Sequence, residues 1–151
     1  MRQLSSDLYE FIYLLNTKRV EYLIVGAWAL AFHGRPRYTG DLDIFVACDP
    51  ENATKLMAVI EAFGFGGIGV SHEDFLQEAY VIQLGVAPNR IDLLTGISGV
   101  AFDDAWGGRK AGTISGIEAT IISREHLIQN KRAANRAKDR GDIELLEKTK
   151  P

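Results

Sequence analysis

The chain carries two aspartates, Asp41 and Asp43, one residue apart at the start of an apolar run that continues to residue 47. Successive side chains of a β-strand point to opposite faces, so Asp41 and Asp43 share one face and Leu42 and Ile44 share the other. Two carboxylates side by side repel each other unless a cation lies between them. Mg²⁺ prefers carboxylate and phosphate oxygens as ligands. The pattern therefore predicts a strand over residues 41–47 that buries one face and presents a cation site on the other.

A third carboxylate occurs in a similar setting further along the chain. Asp92 lies between Ile91 and Leu93 in the segment 90–94, and an unpaired carboxylate in a half-buried strand costs free energy. If the two acidic strands are neighbours in one sheet, three carboxylates converge, and such a cluster can hold one or two divalent ions for phosphoryl transfer. The alternative, simple solvation at the ends of the strands, explains the first pair better than it explains Asp92.

The remaining residues predict alternating helices and strands. Besides residues 41–47, the predicted strands cover residues 22–25, 80–84, 90–94 and 119–122. The predicted helices begin near Ser5 or Ser6, at 27, at 50 after Asp49, at 124 after Ser123, and at 139, and the last four end near 32, 63, 134 and 148. Residues 96–116 are rich in glycine and receive no assignment. We expect one α/β domain, 1–151, with a mixed β-sheet flanked by helices.

Composition narrows the class of protein. The hydrophobic fraction of 46% and charged fraction of 25% are typical of a globular domain. A net charge of −3 argues against a protein that mainly coats nucleic acid. No apolar run approaches the ~20 residues that span a bilayer, and residues 1–6 lack the apolar segment of a secretory signal. We therefore expect a cytoplasmic protein that does not associate with membranes.

A glycine turn upstream of the aspartates is suited to a phosphate group. The predicted strand ends at Gly26 and turns at once into a helix, so the first backbone N–H groups, from Ala27 onward, have no partner within that helix. Arg37 and Thr39 follow shortly before Asp41. An ordinary strand-to-helix turn is the better explanation of the glycine taken alone, whereas the order of glycine turn, short helix, Arg-x-Thr and Asp-x-Asp favours phosphate binding.

This order resembles the nucleotidyltransferase superfamily related to DNA polymerase β, in the small bacterial form that includes minimal nucleotidyltransferases and AbiEii-type toxins. The family pattern is a hydrophobic strand, Gly-Gly or Gly-Ser, a short helix, Asp-x-Asp or Asp-x-Glu, and a later strand with a third acid. The matching positions are Gly26, Ala27, Asp41, Asp43 and Asp92. The resemblance continues from Ile122 through Lys131 to Ile143. Ala27 departs from the pattern, because the family usually has glycine or serine there.

The resemblance implies transfer of a nucleoside monophosphate from a nucleoside triphosphate, such as ATP, to a hydroxyl group, with Mg²⁺ or Mn²⁺ as cofactor. Asp41 and Asp43 would hold the metal ion of the triphosphate, a second ion would bridge toward Asp92, and Asp92 would help to activate the acceptor. The residues implied in nucleotide binding are Gly26, Ala27, Arg37, Thr39 and Lys131. Lys131 also begins a basic stretch whose alternation with acidic residues is typical of a solvated helix face.

The acceptor and the partners stay open at this point. A protein hydroxyl, a tRNA end and a small molecule all suit the implied chemistry. Some members of the superfamily act in toxin–antitoxin pairs or require a helical partner chain, so an antitoxin or such a chain is an implied partner. The second interpretation is a non-catalytic nucleotide-binding protein of a regulatory or antitoxin type. Ala27 and the small size favour it, whereas the three intact acids argue against it.

Overall fold

The computed structural model describes residues 5–34, 41–64, 69–86 and 89–148. Six helices and six strands lie within these ranges, together with a 3₁₀ helix, His72–Leu76. The strands are β1 (Tyr22–Val25), β2 (Leu42–Val46), β3 (Val81–Leu84), β4 (Ile91–Leu94), β5 (Lys110–Ile114) and β6 (Ile117–Ile121). The helices are α1 (Ser6–Thr17), α2 (Gly26–Phe32), α3 (Pro50–Phe63), α4 (Phe102–Gly107), α5 (Arg124–Ala134) and α6 (Ala137–Lys148).

The strands form one mixed sheet in the order β3-β4-β2-β1-β6-β5. Strand β2 is antiparallel to β1 and parallel to β4, while β1 is parallel to β6. The pairs β3–β4 and β5–β6 are antiparallel. The predicted mixed sheet is confirmed. The two acidic strands, β2 and β4, are neighbours in it, which is the condition on which the predicted convergence of the carboxylates depended.

Helices α1 and α3 pack on the sheet through apolar faces with helical spacing. In α1 the buried residues are Leu8, Phe11, Ile12 and Leu15, and the hydroxyl of Ser5 accepts a hydrogen bond from the Leu8 N–H at the start of the helix. In α3 the carboxylate of Asp49 accepts from the Asn52 N–H, with Pro50 in the first turn. Both starts agree with the sequence, because N-cap residues and a first-turn proline act locally.

Two element starts differ by two residues from the sequence prediction, and one segment without an assignment contains regular structure. Helix α6 begins at Ala137 rather than Asp139, because the Asp139 carboxylate accepts the Arg136 backbone N–H from within the first turn. Strand β6 begins at Ile117 because a tight turn, in which Ser115 and Gly116 both have positive φ, joins it to β5. The unassigned residues 96–116 contain α4 and β5. None of the described helices is long and apolar enough to cross a membrane.

Candidate active site

The register of β2 and β4 places Asp43 and Asp92 side by side on adjacent strands. Asp92 is buried and Asp43 is half-buried. Burial raises the pKa of Asp43 to about 6, and repulsion from Asp92, a hydrogen bond with the Asp92 carboxyl group and repulsion from Asp41 add to the rise, whereas Arg90 opposes it. Two carboxyl groups in this arrangement either share a proton or take up a cation.

Arg90 lies between the first and third aspartates. Its Nη2 is 3.0 Å from Oδ2 of Asp41, and its Nε is 3.1 Å from Oδ1 of Asp92. The sequence analysis did not identify Arg90 as part of the site. The available signal was its position two residues before Asp92, which puts both side chains on one face of the same strand.

The donor set fits a divalent cation. Oδ1 of Asp92 is buried and accepts no hydrogen bond from the described residues, so its 3.1 Å contact with Arg90 is ionic only. A carboxylate oxygen in this state, next to Asp43, suits Mg²⁺ or Mn²⁺. Within the described ranges, however, no three Asp, Glu, His or Cys side chains are arranged together around a metal position. The structure brings Asp43 to Asp92 and shows Asp41 paired with Arg90, so the convergence of all three stays a prediction.

Gly26 forms the turn between β1 and α2 directly beside Asp43. Its φ is +65°, and a Cβ atom at this position would lie 2.4 Å from Oδ2 of Asp43. Val25 is the register partner of Asp43, which explains the close approach. Ala27 follows in the first turn of α2, where no described side chain caps the free N–H groups. The glycine therefore leaves space next to the carboxylates that any other residue would fill.

The carboxylates open into a cleft of about 580 Å³ between the sheet and the end of α5. The residues that line it are Val25, Gly26, Asp43, Val81, Gln83, Asp92, Leu94, Ile97, Ser98, Asn130, Ala134 and Arg136. The side chain of Asn130 donates to the Ser98 carbonyl at 3.0 Å and thereby ties the segment after β4 to α5. Gln83, Ser98 and Asn130 were missed by the sequence analysis, because only the fold brings β3, this segment and α5 together.

Lys131 lies behind the cleft rather than among the described residues that line it. It is 7% exposed, and its Nζ is 3.1 Å from Asp142 Oδ2 and 3.5 Å from Asp139 Oδ1. The other interpretation of this position, a solvated helix face, does not hold for Lys131 because α6 covers it. Its predicted contact with the nucleotide stays a prediction.

Arg136, between the end of α5 and the start of α6, is the basic residue among the described residues that line the cleft. Its Nε donates to Asp139 Oδ2 at 2.6 Å and its Nη2 to Asp139 Oδ1 at 3.1 Å. Burial by itself would raise the pKa of Asp139, but the hydrogen bonds from Arg136 and the charges of Arg136 and Lys131 lower it below the usual value. Lys131 and Asp139 thus hold Arg136 at the rim, where its side chain is 61% exposed. Arg37 and Thr39 lie outside the described residues, and their predicted roles stay predictions.

The chain has a mixed sheet with paired aspartates on adjacent strands beside a glycine turn, and solved structures with the nucleotidyltransferase fold superpose on it. No protein-family model and no curated protein sequence matches it. The lincosamide antibiotic adenylyltransferase LnuA, with lincomycin bound, superposes with a TM-score of 0.62 at 14% identity, over 99% of this chain and 100% of that one.

Two further structures extend the comparison. The antibiotic-resistance factor ANT(2'')-Ia gives a TM-score of 0.55 at 15% identity, over 93% of this chain and 80% of that one. A nucleotidyltransferase-like protein from Paracoccidioides brasiliensis gives 0.52 at 16% identity, over 96% and 78%. Similarity at these identities establishes the fold, so the predicted nucleotidyltransferase-like fold is confirmed.

Proposed function

We propose that the protein transfers a nucleoside monophosphate from a nucleoside triphosphate to a hydroxyl group, with Mg²⁺ or Mn²⁺ held by Asp43, Asp92 and Asp41. The observation that carries the proposal is the Asp43–Asp92 pair, which faces an open cleft next to Gly26. Burial and repulsion from Asp92 raise the pKa of Asp43 to about 6 although Arg90 opposes the rise, so Arg90 by itself does not balance the charge of the ionised pair. A bound divalent ion would supply the remaining positive charge and stabilise the negative charge on the attacking and leaving oxygens.

The reaction is an in-line displacement at the α-phosphorus. The acceptor hydroxyl oxygen forms a bond to this phosphorus while the bond to the β-phosphate oxygen breaks, and pyrophosphate leaves with the electron pair. In the proposal Asp92 takes the hydroxyl proton, since it lies in the cleft with one carboxylate oxygen that accepts no hydrogen bond from the described residues.

The triphosphate is assigned to the side of the cleft where Gly26 and Arg136 lie. The absence of a Cβ at Gly26 leaves room beside Asp43, and the N–H groups from Ala27 onward are available to phosphate oxygens. The guanidinium of Arg136 offers charge-assisted hydrogen bonds from the rim of the cleft. Arg37 and Thr39 belong to the proposed nucleotide contacts through their place before Asp41, and Lys131 contributes by holding Asp139 and Asp142.

The remaining part of the cleft is suited to a small hydroxylated acceptor. Its walls combine apolar side chains with the polar groups Gln83, Ser98 and Asn130, a mixture typical of small-molecule sites. LnuA acts on a lincosamide antibiotic and its structure holds lincomycin, which favours a small molecule over a protein or tRNA as acceptor here. The proposal places the reaction in the cytoplasm, where nucleoside triphosphates are available.

Incubation of the purified protein with each α-³²P-labelled nucleoside triphosphate, Mg²⁺ or Mn²⁺ and candidate acceptors tests this function. The acceptors are a panel of hydroxylated antibiotics, total tRNA and cell lysate. Asp43→Asn and Asp92→Asn should abolish labelling, while Asp103→Asn on the exposed side of α4 should leave it unchanged. Label on RNA or protein would show that the acceptor is a tRNA end or a protein hydroxyl, as expected of a toxin-like enzyme, rather than a small molecule.

A second candidate is a non-catalytic nucleotide-binding protein that acts as a regulator or an antitoxin-type partner. Ala27 favours it, because no hydroxyl side chain at this position can contact phosphate. Metal-dependent binding of triphosphate without transfer to any acceptor, even with a helical partner chain or antitoxin added, would establish this candidate. Transfer of label that depends on Asp43 would exclude it.

A further inference from the structure

We propose that Arg90 is a built-in competitor for the divalent cation, and that metal binding at the aspartates requires its guanidinium to leave at least one of them. The inference rests on the proposed metal site and adds a residue that sets its affinity. The guanidinium bridges Asp41 and Asp92 at 3.0 and 3.1 Å. It therefore occupies a position where an ion shared by these two carboxylates would lie.

The backbone directs Arg90 into the site. Its carbonyl oxygen accepts the Leu42 N–H at 3.0 Å, which extends the pairing of β2 and β4 by one step. Because Arg90 and Asp92 are two residues apart along an extended chain, both side chains leave the same face. The chain thus holds the guanidinium beside the carboxylates at a high local concentration. A dissolved monovalent cation lacks this advantage.

The contacts of Arg90 are of a kind that a divalent ion can replace. Nη2 of Arg90 donates to Asp41 Oδ2 at 3.0 Å and to Asp92 Oδ2 at 3.3 Å, whereas its Nε and Oδ1 of Asp92, 3.1 Å apart, have no hydrogen-bond partner among the described residues. The side chain is 35% exposed and the Asp41 side chain is equally exposed, so the long arginine can rotate toward solvent. A doubly charged ion gains about twice the Coulomb energy of the guanidinium at the same separation, so it displaces Arg90, whereas Na⁺ and K⁺ do not.

The competition by Arg90 affects the affinity for the metal ion both without and with bound triphosphate. The metal ion binds weakly to the free protein, because each binding event must break the Arg90 contacts. Affinity rises when the ion arrives with a triphosphate, because phosphate oxygens complete its coordination and provide a new partner for the released guanidinium. Arg90 thereby couples metal binding to nucleotide binding.

The test is Mn²⁺ binding to the whole chain without nucleotide, measured by electron paramagnetic resonance of the free ion. Arg90→Gln should bind Mn²⁺ about tenfold more tightly than wild type, because one positive charge is removed next to the site. Arg90→Lys keeps the charge and should stay close to wild type. The matched control is Arg132→Gln, which removes an exposed arginine paired with Glu147 at 3.1 Å and should not alter the affinity.

Equal or weaker Mn²⁺ binding by Arg90→Gln would overturn the inference while leaving the metal site in place. If Asp43→Asn has no effect on Mn²⁺ binding in either the wild-type or the Arg90→Gln background, no ion binds at the aspartates and the proposed metal dependence fails as well.

A measurement on the unmodified protein covers the case in which the variants do not fold. The ¹⁵Nε resonance of Arg90 should shift when Mg²⁺ is added, since the guanidinium leaves its carboxylate partners. An unchanged resonance at an Mg²⁺ concentration that shifts the Asp43 amide would overturn the inference.

Discussion

Gly26 faces Asp43 so closely that a methyl group on Gly26 would lie 2.4 Å from the carboxylate oxygen Oδ2. The contact arises because β1 and β2 are antiparallel with Val25 opposite Asp43. Gly26, the next residue, therefore lies directly beside the aspartate side chain. The same glycine has a φ of +65°, which side chains other than hydrogen disfavour. Glycine is therefore required at position 26 for two independent reasons: the positive φ of the backbone and the lack of space beside the Asp43 carboxylate.

Gly26→Ala should destabilise the protein by about 1–3 kcal/mol and weaken metal-dependent nucleotide binding more than tenfold, because the new methyl group pushes the Asp43 carboxylate aside. Calorimetric titration with a non-hydrolysable ATP analogue and Mg²⁺ measures the second effect. Gly116→Ala is the matched control, since its φ is +85° and a Cβ there meets nothing within 4 Å. Equal nucleotide affinity in both variants would show that the contact with Asp43 has no role in binding.

Asp43→Asn should stabilise the metal-free protein near pH 8 and have no stabilising effect near pH 3.5. The folded-state pKa of about 6 lies above the ordinary aspartate value of 3.8. The folded wild-type protein therefore loses stability as Asp43 ionises while the pH rises from about 4 through 6. The gain at pH 8 is on the order of 1–3 kcal/mol. Urea unfolding of both proteins across this pH range in EDTA measures the difference, and a gain that does not change with pH would contradict the assigned cause.

Saturating Mg²⁺ or Mn²⁺ should reverse the order of stability of these two proteins at pH 8. The ion stabilises the ionised pair of Asp43 and Asp92 and binds the Asp43→Asn variant poorly, so only the wild type gains stability from it. The melting temperatures in EDTA and in excess Mn²⁺ provide the comparison. If both proteins gain equally, the ion binds elsewhere on the chain.

The sequence predicted the parts of the site that depend on local patterns. The alternation around Asp43 and Asp92 indicated which face each side chain takes, but the neighbouring position of the two strands was only a condition of the prediction and comes from the structure. Arg90 was missed because its contact with Asp41 depends on the register between β2 and β4, which the alternation alone does not give. The fold of residues 96–116 was missed for another reason, since its glycines suit turns of many kinds and β5 depends on pairing with β6.

Lys131 shows a different limit of the sequence. Its place in a basic stretch suggested contact with phosphate or with solvent, but the structure pairs it with Asp139 and Asp142. The deciding feature is Asn135, whose φ of 50° ends α5 and turns α6 back against it. The turn at Asn135 determines which charged residues of α5 and α6 face each other. Spacing rules apply within one helix and therefore could not predict these pairs between two helices.

Lys131→Met should destabilise the protein by about 3–5 kcal/mol, because Asp142 and Asp139 stay buried while their shared ammonium group is lost. Chemical unfolding at pH 7 measures the change. Lys148→Met is the matched control, as it breaks an exposed pair with Glu144 at 3.4 Å and should cost less than about 1 kcal/mol. A similar small loss in both variants would mean that the buried carboxylates are protonated or hydrated.

Arg136→Gln should weaken triphosphate binding about tenfold with a smaller loss of stability than Lys131→Met, because its guanidinium lines the cleft and is largely exposed. Fluorescence titration with a labelled ATP analogue gives the affinity, and thermal unfolding gives the stability. Arg140→Gln is the control from the same segment, since Arg140 donates to Asn135 and does not line the cleft. Equal affinities of the two variants would remove Arg136 from the nucleotide site, whereas a loss confined to Arg136→Gln would support the proposed contact between its guanidinium and the triphosphate.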